Sequence, residues 1–414
     1  MTNLPDPQDK LPKKTQSIVS RLWDNLPQAD QEALKEVFKG LPLDTNPMNT
    51  LLDLVSLQYK MAKGSQKKVA IIGPANVGKS TLFNQFIRSK SDKAAVSPIP
   101  GTTRNNQTSD AGLFAIVDTP GADAIGNVGE QEREEAFDAA SDADFLVLIF
   151  DAIQGIKRSE LDLYHALLKL KKPHLIVLNK IDLAKKFRDD VLLKAAQNLE
   201  LDVSEIIPVS ALKGEGISKV VMSIAAADPE LLISLGQALP KFRWKLAWRA
   251  IVTSASISAA IALTPLPVID FIPLVITQTS MVITISRIYN YKITFKRAKE
   301  LIATFGLGML GRTLFQQLSK AGGLPGWLLS SAIATSMTIV MGYASIIWFE
   351  KGERLSQKTL KELGRKVTDY MVSSLRRKNK KRPNKKEMQQ EIIDVLADSV
   401  LSDRESIEDK LSNP

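Results

Sequence analysis

The sequence predicts a doubly wound, mostly parallel α/β domain, joined to an all-α C-terminal domain and preceded by a helical extension. Three observations carry that expectation. Between residues 67 and 230, short unbroken apolar runs alternate with helical stretches, as strands buried on both faces require. A glycine-rich loop stands between the first run and the helix after it. Beyond residue 231 such runs give way to long uncharged stretches rich in small residues. The expected organisation is a helical N-terminal extension (1–66), an α/β domain (67–230), a helical domain (231–350), and a basic segment with an acidic amphipathic tail (351–414).

The 414 residues suffice for two or three domains, and 44% apolar with 24% charged residues is the balance of a folded chain. Cysteine is absent, which excludes disulfides, thiolate metal sites and cysteine nucleophiles. The two histidines, His165 and His174, exclude a multi-histidine metal centre. With no charged-then-apolar leader over residues 1–14, the expectation is an intracellular protein.

Residues 15–62 place Ile18, Leu22, Leu26, Leu34, Val37 and Phe38 at helical spacing, so two or three short amphipathic helices are expected. They read as a cap on the next domain or as a separate partner-binding module. The predicted strands are Val69-Ala70-Ile71-Ile72, Leu113-Phe114-Ala115-Ile116-Val117, Phe145-Leu146-Val147-Leu148-Ile149-Phe150, Leu175-Ile176-Val177-Leu178 and Ile206-Ile207-Pro208-Val209. Helices are expected near 80–89, 130–141, 158–170, 190–200 and 215–226.

Gly73-Pro74-Ala75-Asn76-Val77-Gly78-Lys79-Ser80-Thr81 is a full GxxxxGKS loop between strand and helix. Glycines let the backbone wrap phosphates, Lys79 reaches the β and γ phosphates, and Ser80 offers its hydroxyl to Mg²⁺. Asp118-Thr119-Pro120-Gly121 ends the second strand, so that Asp118 can hold Mg²⁺ through water and the Gly121 amide can sense the γ-phosphate. Thr103, within Pro100-Gly101-Thr102-Thr103-Arg104, is ordered to close over Mg²⁺ and the γ-phosphate. In Asn179-Lys180-Ile181-Asp182 a carboxylate accepts both guanine N1 and N2 hydrogens, which favours GTP over ATP. Ser210-Ala211-Leu212 completes the base pocket with backbone amides.

With these five motifs in order, residues 67–226 resemble an Era-like GTPase of the TrmE, Era and EngA group. The resemblance implies GTP and GDP as ligands with Mg²⁺ held by Ser80, Thr103 and Asp118. Asn76, Val77, Gly78, Lys79, Ser80, Thr81 and Asp118 would line the phosphates, and Asn179, Lys180, Asp182, Ser210, Ala211 and Leu212 the guanine. Lys79, Thr103, Gly121 and Asn76 would serve the reaction. Ala122 stands where Ras-like enzymes orient water with glutamine, so basal turnover is expected to be slow. Some Era-like proteins use K⁺ bound partly by an asparagine at the position of Asn76, and potassium-stimulated hydrolysis is expected here; a loop-ordering role for Asn76 is the other reading. Asn105 replaces the family's aspartate after the switch-one arginine. Glu130, Glu132, Glu134 and Glu135 read as a solvated helix start or as a source of a water-orienting carboxylate.

Residues 231–386 carry 25 basic and 6 acidic groups, whereas residues 67–230 carry 20 and 23. Lys241, Arg243, Lys245 and Arg249 precede an uncharged run broken at Thr264-Pro265-Leu266-Pro267, and Arg287, Lys292, Lys296 and Arg297 follow it. That pattern suits a hairpin entering and leaving the cytoplasmic side of a bilayer, or a buried helical pair. Residues 321–349 are long enough to span, yet their small and polar residues equally suit a packed bundle. Asp270 reads as a helix cap or functional carboxylate, and Gly306-Leu307-Gly308-Met309-Leu310-Gly311 as small-residue packing. Through Pro265-Leu266-Pro267-Val268-Ile269-Asp270, Gln278 and Gly323-Leu324-Pro325-Gly326, residues 245–350 resemble a helical domain of unknown function that accompanies Era-like GTPases in bacteria. That resemblance implies a membrane, with the GTPase domain on the cytoplasmic side.

Residues 376–386 hold eight basic groups in eleven positions, a solvated linker or a contact for anionic lipid. The tail that follows is an amphipathic helix expected to dock on this run. The expectation is therefore a GTP-hydrolysing switch coupled to a membrane-associated helical domain. Its partners are guanine nucleotide, membrane lipid and a second copy through the GTPase domain. The alternatives are a GTP-binding membrane scaffold with negligible turnover and an Era-like RNA or ribosome factor.

Overall fold

In a computed structural model the described residues are 67–87, 103–104, 112–119, 127–263, 271–293, 298, 301, 325–378 and 382–397. The expected helices of 15–62, the proline turn with Asp270, the Gly306–Gly311 run, Gly121 and Ala122 lie outside them.

The α/β domain comprises β1 (Val69–Pro74), α1 (Lys79–Ile87), β2 (Thr103–Arg104), β3 (Phe114–Thr119), α2 (Asn127–Asp142), β4 (Phe145–Asp151), α3 (Arg158–Leu168), β5 (His174–Asn179), α4 (Arg188–Leu199), β6 (Ile206–Pro208) and α5 (Ile217–Ala227). Among the described residues the main sheet runs β3-β1-β4-β5-β6 and is parallel throughout. The period of two sorts each strand between two cores. Val69, Ile71, Phe145, Val147, Ile149 and Val177 face α1 and α5. Ala70, Ile72, Leu146, Leu148, Phe150, Ile176 and Leu178 face α2, α3 and α4. Both faces being covered explains why the strands read as continuous apolar runs.

The helical domain adds α6 (Leu231–Ala238), a single turn at Pro240–Phe242, α7 (Arg243–Ala262), α8 (Phe271–Ile288), β7 (Tyr291–Lys292), α9 (Gly326–Lys351), α10 (Gln357–Lys378) and α11 (Lys385–Ala397). At its centre α9 touches α7, α8 and α10. Its most apolar 18-residue window has a mean hydropathy of 1.6, enough to cross a bilayer, and that window lies wholly inside the protein. Gly342 lets α7 approach: a Cβ there would stand 2.4 Å from Ile251 Cγ1. Several hydroxyls in this apolar interior are satisfied within their own helix. Thr335, Ser336 and Ser345 donate to the carbonyls of Ser331, Ala332 and Met341 at 2.7, 2.6 and 2.8 Å. Thr338 donates to Ser258 Oγ at 2.9 Å and accepts from Gln278 Nε2 at 3.3 Å, tying α9 to α7 and α8.

The segment after residue 351 contributes two helices to this bundle. Leu360, Leu363, Val367, Met371 and Leu375 give α10 one buried stripe, and α10 lies against α9. Asn384 and Glu387 form a reciprocal cap at the start of α11: each backbone amide donates to the other's side chain, at 2.8 and 2.9 Å. The buried face of α11, Met388, Ile392, Val395 and Leu396, packs on α7 rather than on the basic run where docking was expected.

α7 begins at Arg243, and its cations are bonded to the protein although Lys245 is exposed. Arg243 Nε donates to Gly236 O at 2.9 Å, Lys245 Nζ to Ser218 Oγ at 2.7 Å and Arg249 Nε to Ala225 O at 3.3 Å. The last two bonds reach α5, so they join the two domains. Lys67 Nζ adds Asp228 Oδ2 at 2.6 Å and Glu230 Oε2 at 3.3 Å at the domain junction. The Pro240–Phe242 turn rests on α1, and one apolar cluster runs unbroken from Val69 to Leu396.

Candidate nucleotide-binding site

Parallel sheets with helices on both faces offer ligands the carboxyl ends of their strands. Here the loops after β1, β5 and β6 open on that rim. After β1 the chain turns sharply, with Asn76 at φ 62° and Gly78 at φ 98°. Successive amides in such a turn form an anion-binding concavity at the start of α1. Gly78 is required twice, because its φ is left-handed and because a Cβ would stand 2.4 Å from Asn179 Nδ2. At Gly73 a Cβ would stand 2.4 Å from the Ile149 carbonyl, so the loop can hug β4 only without a side chain.

Lys79 is 4% exposed, and its ammonium donates to Gly73 O and Pro74 O at 2.7 Å each, at the mouth of the loop. Ser80 and Thr81 are exposed in the first turn of α1. Asp118 pairs in register with Gly73, which sets its backbone beside the phosphate loop. Val77 is buried, so its share in the site is its backbone. Among the described residues no cluster of His, Asp and Glu forms a ready-made metal cage. A serine hydroxyl plus one carboxylate beside phosphate oxygens is the donor set Mg²⁺ takes, so the residues present fit that ion.

The base side is built by Asn179, 2% exposed. Its Nδ2 donates to Val77 O at 2.7 Å and its Oδ1 accepts from Ala211 N at 2.9 Å. One side chain therefore braces the phosphate loop against the loop after β6, a structural task beyond the base contact expected of it. Lys180 is left-handed at φ 67° and donates to Asp151 Oδ2 at 2.6 Å. Asp151, which the sequence analysis passed over, also accepts from Ile153 N and Gln154 N at 2.8 and 3.2 Å. A lone carboxylate ending the apolar run 145–150 was the available signal.

Asp182, its side chain 5% exposed, stands with Lys213 Nζ 3.5 Å away. The Ser210 hydroxyl first, and then Lys213, hold the Asp182 carboxyl below its ordinary range despite burial. A carboxylate kept charged is what guanine's two adjacent N–H groups require. Ser210 is fully buried and its Oγ accepts from Lys213 N at 3.2 Å, while Leu212 is 76% exposed and offers only backbone. Thus Asn76, Val77, Gly78, Lys79, Ser80, Thr81, Asn179, Lys180, Asp182, Ser210, Ala211 and Leu212 share one rim. Thr103 lies in β2, paired with the helical domain.

Residues 68–180 match the family described as 50S ribosome-binding GTPase. The α/β unit has the P-loop GTPase fold and is similar in sequence to Era-like GTPases. Residues 228–377 match the domain of unknown function DUF697. GTPase Der of Syntrophobacter fumaroxidans is 36% identical over 168 residues, 39% of this chain and 36% of the relative. GTPase Era of Carboxydothermus hydrogenoformans is 35% identical over 167 residues, 39% of this chain and 55% of the relative. The chain thus spans about half or less of these relatives. A solved structure of Aquifex aeolicus Era bound to GDP.AlF4- aligns at 27% identity and TM-score 0.30, over 49% of this chain and 68% of that one.

Proposed function

We propose that this chain binds and hydrolyses GTP as a switch read by its own helical domain at the cytoplasmic face of a membrane. The observation that carries the nucleotide half is Asn179, which braces the phosphate loop and the base loop around one charged carboxylate. Lys79 and the loop amides hold the β and γ phosphates, and Ser80, Asp118 and Thr103 are the Mg²⁺ side. Bound Mg²⁺ supplies charge neutralisation across the phosphate oxygens. With Ala122 after Gly121, turnover is slow and stimulated by K⁺ held partly by Asn76. Two GTPase domains pair during turnover, which then rises with protein concentration.

GTP turnover in K⁺ against Na⁺, with Lys79→Ala as the inactive control, tests this half. Asn76→Gly keeps the left-handed backbone and deletes the carboxamide, so it abolishes the K⁺ stimulation alone. Equal turnover in both salts removes the K⁺ reading, and nucleotide binding without turnover leaves a scaffold.

Membrane association is supported by the basic excess of residues 231–386. Burial of the whole apolar window of α9 favours a second reading, in which only the basic surface meets anionic headgroups and nothing spans. Membranes carrying the full-length chain are washed with high salt and then alkaline carbonate. Release by salt supports the surface reading and retention in carbonate supports embedding. Salt-sensitive cosedimentation with ribosomes, without membrane binding, would replace both with an RNA-associated factor.

A further inference from the structure

Away from the main sheet, β2 and β7 form a small antiparallel pair in which Thr103 faces Lys292 and Arg104 faces Tyr291. The GTPase strand of this pair carries Thr103, which the nucleotide reading assigns to Mg²⁺ and the γ-phosphate. The helical-domain strand is firmly held. It follows the C-terminus of α8 through Asn290, left-handed at φ 65°. Tyr289, Tyr291 and Ile293 are buried in the common core, and the Tyr291 ring lies 5.4 Å from that of Phe349 near the end of α9. Lys292, between two buried residues, is exposed. Thus β7 is a short rail anchored in the bundle by Tyr291, with its main chain paired to β2.

A two-residue pair is marginal by itself. It is therefore the kind of contact that γ-phosphate and Mg²⁺ ligation can outbid. We infer that β7 docks the segment carrying Thr103 when no γ-phosphate recruits that threonine, and that GTP binding withdraws β2 from it. The helical domain then reads the nucleotide through loss of one strand pair at the junction of α8 and α9. This rests on the nucleotide switch proposed above. By reciprocity, whatever stabilises the β2–β7 pair weakens GTP relative to GDP by the same factor.

The test is hydrogen exchange of the full-length chain, loaded with Mg²⁺ and either GDP or the non-hydrolysable analogue GDPNP, with occupancy followed by nucleotide fluorescence. Exchange in peptides covering residues 291–292 is expected to be about 5-fold faster with the analogue, the lower end of common coupling strengths. Equal exchange in the two states, or slower exchange with the analogue, overturns the inference while leaving the switch standing. A chain that binds neither nucleotide overturns both. Lys292→Pro, which removes a backbone donor from the rail, is expected to shift the GDPNP-to-GDP affinity ratio about 5-fold toward GDPNP. Lys292→Ala, which keeps the main chain, leaves the ratio unchanged. A purely structural role would instead change both affinities alike.

Discussion

The nucleotide rim and the helical bundle both bury polar side chains, and they use most of them differently. At the rim, Asn179 reaches a carbonyl 102 residues away and receives an amide from a third loop. In the bundle, Thr335, Ser336 and Ser345 return their hydroxyls to their own helix, four residues back. Buried polarity in the first region fixes distant loops against each other. In the second these hydroxyls are satisfied within their own helix, while Ser331 and Thr338 reach across to α7. Burial alone therefore says little about a polar residue, and the sequence distance to its partner says more.

The sharpest way to break that contrast is Asn179→Ala. It strands Val77 O and Ala211 N in a buried setting, at a cost of about 2–4 kcal/mol. Thermal unfolding should occur at lower temperature, and GTP and GDP affinity should fall together. If affinity falls while the unfolding temperature holds, Asn179 is a ligand contact rather than a brace. Next in size is Gly342→Val, which drives a side chain into Ile251 and should cost about 2–3 kcal/mol. Unfolding measurements should show that loss while guanine nucleotide affinity stays within about 2-fold, provided the bundle contributes packing and not recognition.

Acid titration sharpens the comparison further. The depressed carboxyl of Asp182 contributes stability that is present above its ordinary value of 3.8 and is lost as pH falls through its lower folded value. Asp182→Asn should flatten that acid limb of the unfolding curve. Glu160 has the opposite sign: burial raises its carboxyl above 4.5, so its contribution is complete below that value and is lost as pH rises through the folded one. Glu160→Gln should accordingly raise the unfolding temperature at neutral pH. The smallest expected effect is Ser345→Ala, below about 0.5 kcal/mol, because the Met341 carbonyl loses only an auxiliary donor. A loss above about 2 kcal/mol in a denaturant titration would mean that the hydroxyl holds another helix.

The sheet was legible because strands buried on both faces leave unbroken apolar runs, and the turn after β1 because its glycines and lysine stand at fixed spacings. Elsewhere the same signals admit two answers. The uncharged run of α9 satisfies a bilayer or a protein core equally, since both are apolar surroundings, and here the core surrounds it. Arg243, Lys245 and Arg249 looked like membrane flanks, yet they bond to Gly236, Ser218 and Ala225. The β2–β7 pair was invisible for a simpler reason: two residues carry no period, and no local pattern announces a partner in another domain. The brace of Asn179 was hidden inside a motif already assigned to the base.

That brace has an energetic corollary. Since a single carboxamide is shared by the two loops, ordering either one prepares the other. Guanosine and inorganic diphosphate, offered as separate molecules, should each raise the apparent affinity of the other although they never touch. The intact nucleotide would then be held as a chelate whose two ends help each other, and it should leave slowly, because both ends must let go at once.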